Sequence, residues 1–151
     1  MDPTLLDALL AIAHHLLAFA LAIVLTMEIM LTRRDIDAPR MTYLSRLDIA
    51  FGAVAAGILV IGIGRVLYGL KGPEYYVANG FFWAKMAAFA GVGLLSIRPT
   101  MSIIRWRASV RANAEFRPAP GDVMAVRRLM HYEAMLFTLI PIFAALMARY
   151  G

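Results

Sequence analysis

The chain has 151 residues, 62% of them hydrophobic, and its mean hydropathy is +0.72. This length leaves room for one domain, and the hydropathy lies far above that of ordinary globular proteins. The absence of cysteine excludes disulfides, iron–sulfur clusters and thiolate catalysis. The net charge of +5 does not indicate a nucleic-acid partner, because the cations lie in short segments between apolar stretches.

Four long apolar stretches dominate the sequence, and we interpret them as membrane-spanning helices. Each reaches or approaches the ~20 residues that cross ~30 Å of hydrocarbon. They are apolar on every face, whereas a helix of a soluble protein shows one apolar stripe. The predicted fold is therefore all-α, a single integral membrane four-helix bundle over residues 1–151. Its predicted helices cover residues 5–31, 48–70, 77–98 and 124–148, with basic loops at 33–46 and 99–122.

Turn and cap residues refine the predicted helix boundaries. The second helix is expected to begin near Ser45, which places Asp48 in its first turn. Pro99 marks a break or kink in the third helix. Residues 101–115 are basic and amphipathic, so they either continue that helix or lie along the lipid headgroups. Asp122 is a candidate cap for the fourth helix.

The arginines are distributed unevenly between the two sides of the predicted bundle. The two segments that join helices one to two and three to four contain Arg33, Arg34, Arg40, Arg46, Arg98, Arg105, Arg107, Arg111, Arg117, Arg127 and Arg128. The opposite side contains only Lys71 and Arg149. The positive-inside rule therefore predicts cytoplasmic loops and non-cytoplasmic termini. The predicted location is the bacterial inner (cytoplasmic) membrane, with lipid as a partner.

Ionisable side chains within the spans are costly in hydrocarbon and normally point into the bundle. Counted from the nearest loop arginine at 1.5 Å per residue, they form two layers. His14, His15, Arg65 and Lys85 fall in the outer layer, and Glu28, His131 and Glu133 fall in the inner layer. His14 and Glu28 lie fourteen positions apart and share a helix face, whereas His15 is rotated by about 100°. His14 is therefore the preferred inward histidine and His15 the second choice.

A membrane histidine beside cations suggests a haem or porphyrin site. Imidazole can bind haem iron, and guanidinium or ammonium groups can bind propionates. We therefore predict haem b or a porphyrin as cofactor, with His14 or His15 as iron ligand, Arg65 and Lys85 as propionate anchors and Met86 as a weaker second ligand. His131 is a less favoured ligand, because it lies about 20 Å from His14 along the bundle axis. The candidate catalytic residues are His14, Glu28 and Glu133.

Structural explanations compete with this functional interpretation. Arg65 and Lys85 can pair with carboxylates inside the bundle, and His131 can contact solvent or lipid. The glycines of helix two can serve helix packing or a flat ligand, and they make a homodimer credible. The chain could therefore be a cofactor-free membrane scaffold or accessory subunit. A small oligomeric transporter is a further alternative.

Several short motifs carry a resemblance to known families. Ala13-His14-His15-Leu16, Glu28, Trp83-Ala84-Lys85 and His131-Tyr132-Glu133 resemble an uncharacterised family of small four-helix bacterial inner-membrane proteins. The chain is also distantly similar to the HemJ-type protoporphyrinogen oxidases, which bind haem b. Their early histidine is matched by His14 or His15, their helix-three lysine by Lys85, and their last-helix Asn-Glu pair by Tyr132-Glu133. In their helix-three signature, Phe81 stands at the tryptophan position and Trp83 replaces a histidine. This similarity implies a membrane oxidoreductase that passes electrons to a quinone or a redox partner.

Overall fold

The computed structural model describes residues 2–150, which contain five α-helices and no strands. The helices are α1 (Pro3–Leu31), α2 (Ala38–Tyr68), α3 (Gly72–Val77), α4 (Gly80–Ala112) and α5 (Pro120–Tyr150). All but the short α3 are long and apolar enough to cross a membrane. The predicted all-helical membrane fold with four candidate spans is therefore confirmed.

The four long helices form a closed ring in the order α1, α2, α4, α5, in which each helix packs on its two neighbours. Short connections make consecutive long helices antiparallel, so both chain termini lie at one end of the bundle. We call this the terminal end, and it also carries α3. The opposite end contains the α1–α2 and α4–α5 connections and is called the arginine end.

Helix α2 begins at Ala38, so the predicted start near residue 48 is wrong, as is the predicted loop over residues 33–46. Asp37 caps the helix by accepting a hydrogen bond from the Arg40 N–H at 3.0 Å. A proline in the first turn costs the helix nothing, since the N–H that it lacks has no partner there. Ser45 and Asp48 therefore lie well inside the helix, and both are buried.

Helix α4 continues through Pro99 to Ala112, so the predicted loop over residues 99–122 is wrong. A proline within a membrane helix is tolerated where neighbouring helices and hydroxyl side chains compensate for the lost backbone hydrogen bond. Pro99 is buried, and the adjacent Thr100 hydroxyl donates a 2.7 Å hydrogen bond to Oδ1 of Asp48 on α2. Helix α5 begins at Pro120, which places Asp122 in its first turn and not at the cap.

The glycines of α2 allow α1 to approach closely. A Cβ atom at Gly57, Gly62 or Gly64 would lie only 3.3–3.5 Å from a side chain of α1. Two of those neighbours are leucines, and the neighbour of Gly62 is His14. Helix packing within the chain therefore explains these three glycines, and at Gly62 that packing involves the predicted iron ligand.

The most deeply buried side chains lie in the half of the bundle nearer the arginine end. They include Leu21, Met41, Leu44, Ile103, Val123 and Met130, each at most 1% exposed. Apolar residues such as Phe19, Val60 and Leu94 are about two-thirds exposed, as expected for side chains that face lipid. The terminal half has fewer fully buried side chains, and it contains a pocket lined by residues of all five helices.

Candidate functional site

A pocket of about 230 Å³ lies in the terminal half of the bundle, and all five helices contribute to its lining. Four residues predicted to bind a cofactor line it, namely His14, Arg65, Lys85 and Met86. They come from α1, α2 and α4, so the antiparallel packing of these helices brings them together. We call this cavity the histidine pocket.

His14 presents a ring nitrogen that has no partner within the described residues. Its Nδ1 atom is buried and makes no hydrogen bond. The ring packs against Gly62, where a Cβ atom would lie 3.3 Å from Cε1 and 3.7 Å from Nδ1 of His14. The glycine thus leaves the space that the imidazole fills. An unsatisfied ring nitrogen inside an apolar bundle can bind a metal or accept a proton.

Arg65 and Lys85 are two cations that no carboxylate of residues 2–150 neutralises. The only ion pair in that range joins Arg40 and Asp37 at 4.0 Å on the exposed surface. The buried Nε of Arg65 has no hydrogen-bond partner, and Nζ of Lys85 lies 5.4 Å from the centroid of the Phe82 ring. The structural alternative that these cations pair inside the bundle is therefore not observed.

The remaining walls of the histidine pocket are almost entirely apolar. Ile58, Phe89 and Ile140 contribute to the buried side of the lining. Leu59 and Ile63 also line the pocket and are about half exposed, so the cavity opens toward the lipid. An apolar, lipid-facing pocket with two cations and an imidazole can accept a ligand that has an apolar body and anionic groups.

His15 and His131 do not reach the histidine pocket. His15 is exposed, and its Nδ1 lies 2.6 Å from the carbonyl oxygen of Ala11 on its own helix. His131 is also exposed, with Nδ1 at 2.7 Å from the carbonyl oxygen of Arg127. The proposals of His15 and His131 as iron ligands are therefore not supported by their positions. No cluster of three or more histidine and acidic residues that could bind a bare metal ion occurs within residues 2–150.

Three buried carboxyl groups from three helices form a polar layer in the half of the bundle nearer the arginine end. Glu28, Asp48 and Glu133 are 3%, 9% and 1% exposed. One carboxyl oxygen each of Glu28 and Glu133 is buried without a hydrogen-bond partner. Neither glutamate forms an ion pair within the described residues, although arginines are close in sequence.

Asp48 is the member of this layer that the sequence interpretation missed. The late predicted start of α2 placed this residue in an interfacial first turn, where an aspartate is unremarkable. The signal that could have found it is the run Asp37-Ala38-Pro39, a capping residue followed by an early proline. With the helix started there, Asp48 falls three turns inside a membrane span.

Comparison with known protein families supports the membrane assignment. A family model described as "Predicted membrane protein (DUF2214)" matches residues 6–151. The chain belongs to the DUF2214 family. Membership in DUF2214 confirms the resemblance to a membrane-protein family and agrees with the four candidate spans. No curated protein and no solved structure matches this DUF2214 chain.

Proposed function

We propose that this DUF2214 protein binds haem b or a related porphyrin in the histidine pocket and serves a redox function in the bacterial inner membrane. The observation that carries the proposal is the meeting of unpaired Arg65 and Lys85 with His14 in one lipid-facing pocket. The proposal agrees with the resemblance to the HemJ-type oxidases inferred from the sequence, in which Lys85 and His14 or His15 take the family positions, since Lys85 and His14 line the pocket.

The unpaired cations argue for an anionic ligand. A charged side chain within a span costs several kcal/mol unless a partner or water stabilises it. Arg65 lies in the last turn of α2 and Lys85 in the second turn of α4, so the two approach the pocket from different helices. Two carboxylates on one apolar ligand would satisfy both cations, and a porphyrin with two propionates is such a ligand.

His14 and Gly62 provide the second argument. The imidazole of His14 lines the pocket, its Nδ1 atom has no hydrogen-bond partner, and Gly62 leaves the space that the ring fills. Met86 also lines the pocket, so a thioether is present as a weaker ligand. Haem bound at such a histidine supplies one-electron redox chemistry, while the chain's own residues orient the ligand, neutralise its carboxylates and exclude water.

The size of the pocket sets how a porphyrin would fit. Its volume of about 230 Å³ lies below the ~300–1,000 Å³ of typical small-molecule pockets. A macrocycle would therefore extend through the opening at Leu59 and Ile63, with one edge against lipid. An apolar porphyrin edge is compatible with that environment, whereas an edge that carries charge is not. The propionates are thus expected on the side of Arg65 and Lys85.

The carboxylate dependence of binding tests this proposal. Protoporphyrin IX and its dimethyl ester would be titrated into the purified protein, with binding followed by porphyrin fluorescence. We expect the ester to bind at least about 10-fold more weakly, because it cannot form charge-assisted hydrogen bonds. The double variant Arg65→Gln, Lys85→Gln should lose this preference, and Arg149→Gln at the exposed C-terminal helix end should keep it. Equal affinity for both ligands, or no binding of either, would refute the proposal.

A further inference from the structure

A second cavity of about 290 Å³ lies between α2 and α4, next to the histidine pocket. The two cavities share Leu59 and Phe89 as lining residues, so they adjoin through a common wall. On α2, seven residues separate Gly62 of the histidine pocket from Ala55 of the second cavity, a rise of about 10 Å. Ligands in the two cavities would therefore lie close together. We call the second one the carboxyl cavity.

The carboxyl cavity is accessible from the lipid. Gly52 on α2 and Gly93 on α4 both line it, and both are exposed. A Cβ atom at either glycine would meet nothing within 4 Å. Because both positions line the cavity, a larger residue at either would narrow its opening. The small residues thus leave a lateral opening through which a membrane-dissolved molecule can enter.

The polar groups of the carboxyl cavity suit a neutral ligand. Asp48, Ser96 and Thr100 line it, and no lysine or arginine does. Oδ1 of Asp48 accepts a hydrogen bond from the Thr100 hydroxyl, with 2.7 Å between the two oxygens. An anionic lipid headgroup would find no cation there and would meet a carboxyl group. The hydroxyl protons are already donated, that of Thr100 to Asp48 and that of Ser96 to the Gly93 carbonyl, so a ligand carbonyl would accept a hydrogen bond from a protonated Asp48 carboxyl.

Two further buried carboxyl groups, outside the lining of this cavity, are candidate proton donors. Glu28 on α1 and Glu133 on α5 are buried in the bundle, and each has an unpartnered carboxyl oxygen. No ion pair joins these carboxyl groups to a cation within residues 2–150, and an uncompensated carboxylate is costly in a membrane interior. A ligand that takes up protons together with electrons suits a site with carboxyl groups that can supply those protons.

We propose that the carboxyl cavity binds the head ring of an isoprenoid quinone, with its tail in the surrounding lipid. Asp48, held in place by the Thr100 hydroxyl, donates a hydrogen bond from its protonated carboxyl to a quinone carbonyl, and Glu28 and Glu133 restore the protons that the site delivers. Reduction to the hydroquinone adds two electrons and two protons, one proton to each carbonyl oxygen. The electron step rests on the proposed function: each ferrous haem would give up one electron and become ferric, so two such oxidations would reduce one quinone. Quinone binding itself does not depend on the tetrapyrrole.

Direct binding of a short-tailed quinone to the cofactor-free protein tests this proposal. Decyl-ubiquinone would be titrated into the protein in nanodiscs and its dissociation constant measured by isothermal calorimetry. Gly93→Leu adds a bulky side chain to the lining of the cavity and should weaken binding by at least about 10-fold. Leu94→Phe is the matched control, because Leu94 is 69% exposed to lipid on the same helix. It should leave the dissociation constant within about twofold of wild type.

A second variant separates binding from proton delivery. Asp48→Asn keeps a polar group of the same size but cannot supply a proton. Its amide N–H can still donate a hydrogen bond to the quinone carbonyl, so the reoxidation rates of this variant and of wild type would be compared at saturating quinone. In haem-loaded protein reduced with dithionite and freed of excess reductant, quinone-dependent reoxidation of the haem should slow at least about 10-fold in this variant.

Three results would overturn the assignment. They are the absence of quinone binding to wild type, equal weakening by Gly93→Leu and Leu94→Phe, and full affinity in a folded Gly93→Leu protein. The first would mean that the cavity is filled by lipid acyl chains of the bilayer. A protein that binds quinone but shows no haem spectrum would refute the proposed function while the quinone site stands. Haem binding without quinone binding would refute the quinone site while the proposed function stands.

Discussion

Gly62 offers a sharp test of the histidine pocket, because its substitution changes the space beside His14 without removing any functional group. In Gly62→Ala the new Cβ lies 3.3 Å from His14 Cε1, which is inside the ~3.5–4.0 Å of favourable carbon contacts. The ring must therefore shift by a few tenths of an ångström. Gly62→Val adds two further methyl groups, so the displacement grows. Overpacking of this kind costs ~1–3 kcal/mol.

If this cost falls on the haem-bound state and not on the haem-free state, the haem dissociation constant rises by about 5- to 150-fold. The valine variant should lie at the upper end of that range. The assay is an absorbance titration of the purified protein with haem, read at the Soret band. Gly64→Ala is the matched control, because its Cβ would lie at an ordinary 3.5 Å from Cδ2 of Leu10. A Gly62→Val protein with wild-type helical circular dichroism and a haem affinity within twofold of wild type would refute the reasoning.

Two further predictions concern stability and topology. Thr100→Val removes the hydrogen bond to Asp48 and should destabilise the protein by about 1 kcal/mol, which lowers the melting temperature by roughly 2–4 °C. Thr138→Val should leave it unchanged, because the exposed Thr138 hydroxyl bonds only to its own helix, and an equal loss in both variants would contradict the assignment. The chain has no cysteine, so Asp35→Cys and Tyr150→Cys each introduce a single thiol at an exposed position. In intact cells a membrane-impermeant maleimide should label Cys at 150 and not at 35 if the arginine end is cytoplasmic, and the reverse pattern would invert the topology.

Helix number and class could be predicted from the sequence, because hydrocarbon imposes a strict length and composition on a span. The boundaries could not, for two local reasons. Helix α2 begins directly after its cap at Asp37, which lies before the apolar stretch from which its start was predicted. Pro99 lies inside α4 because packing against the neighbouring helix accommodates it, and such packing cannot be read from the sequence. Both errors made the predicted loops too long. The first error also placed Asp48 near the membrane surface, although it lies inside a span.

The candidate site could be predicted where the position of a residue along its helix, or its angle around the helix axis, was enough. Counting residues along each helix placed His14, Arg65 and Lys85 in one layer, and helical phase distinguished His14 from His15. The cavity at Gly52 and Gly93 depends on the separation between α2 and α4, which no residue count supplies. Asp48 was missed for the related reason that its depth followed from a helix start that was placed too late.

The haem spectrum of the protein tests the central claim most directly. The wild-type protein and the variants His14→Ala, His15→Ala and His131→Ala would be purified in mild detergent from haem-supplemented cells. We predict a Soret band in wild type, in His15→Ala and in His131→Ala, because both of these histidines are exposed and bonded to their own helices. We predict its loss in His14→Ala. A wild-type protein without a Soret band at any haem supply, or an unchanged band in His14→Ala, would contradict the account.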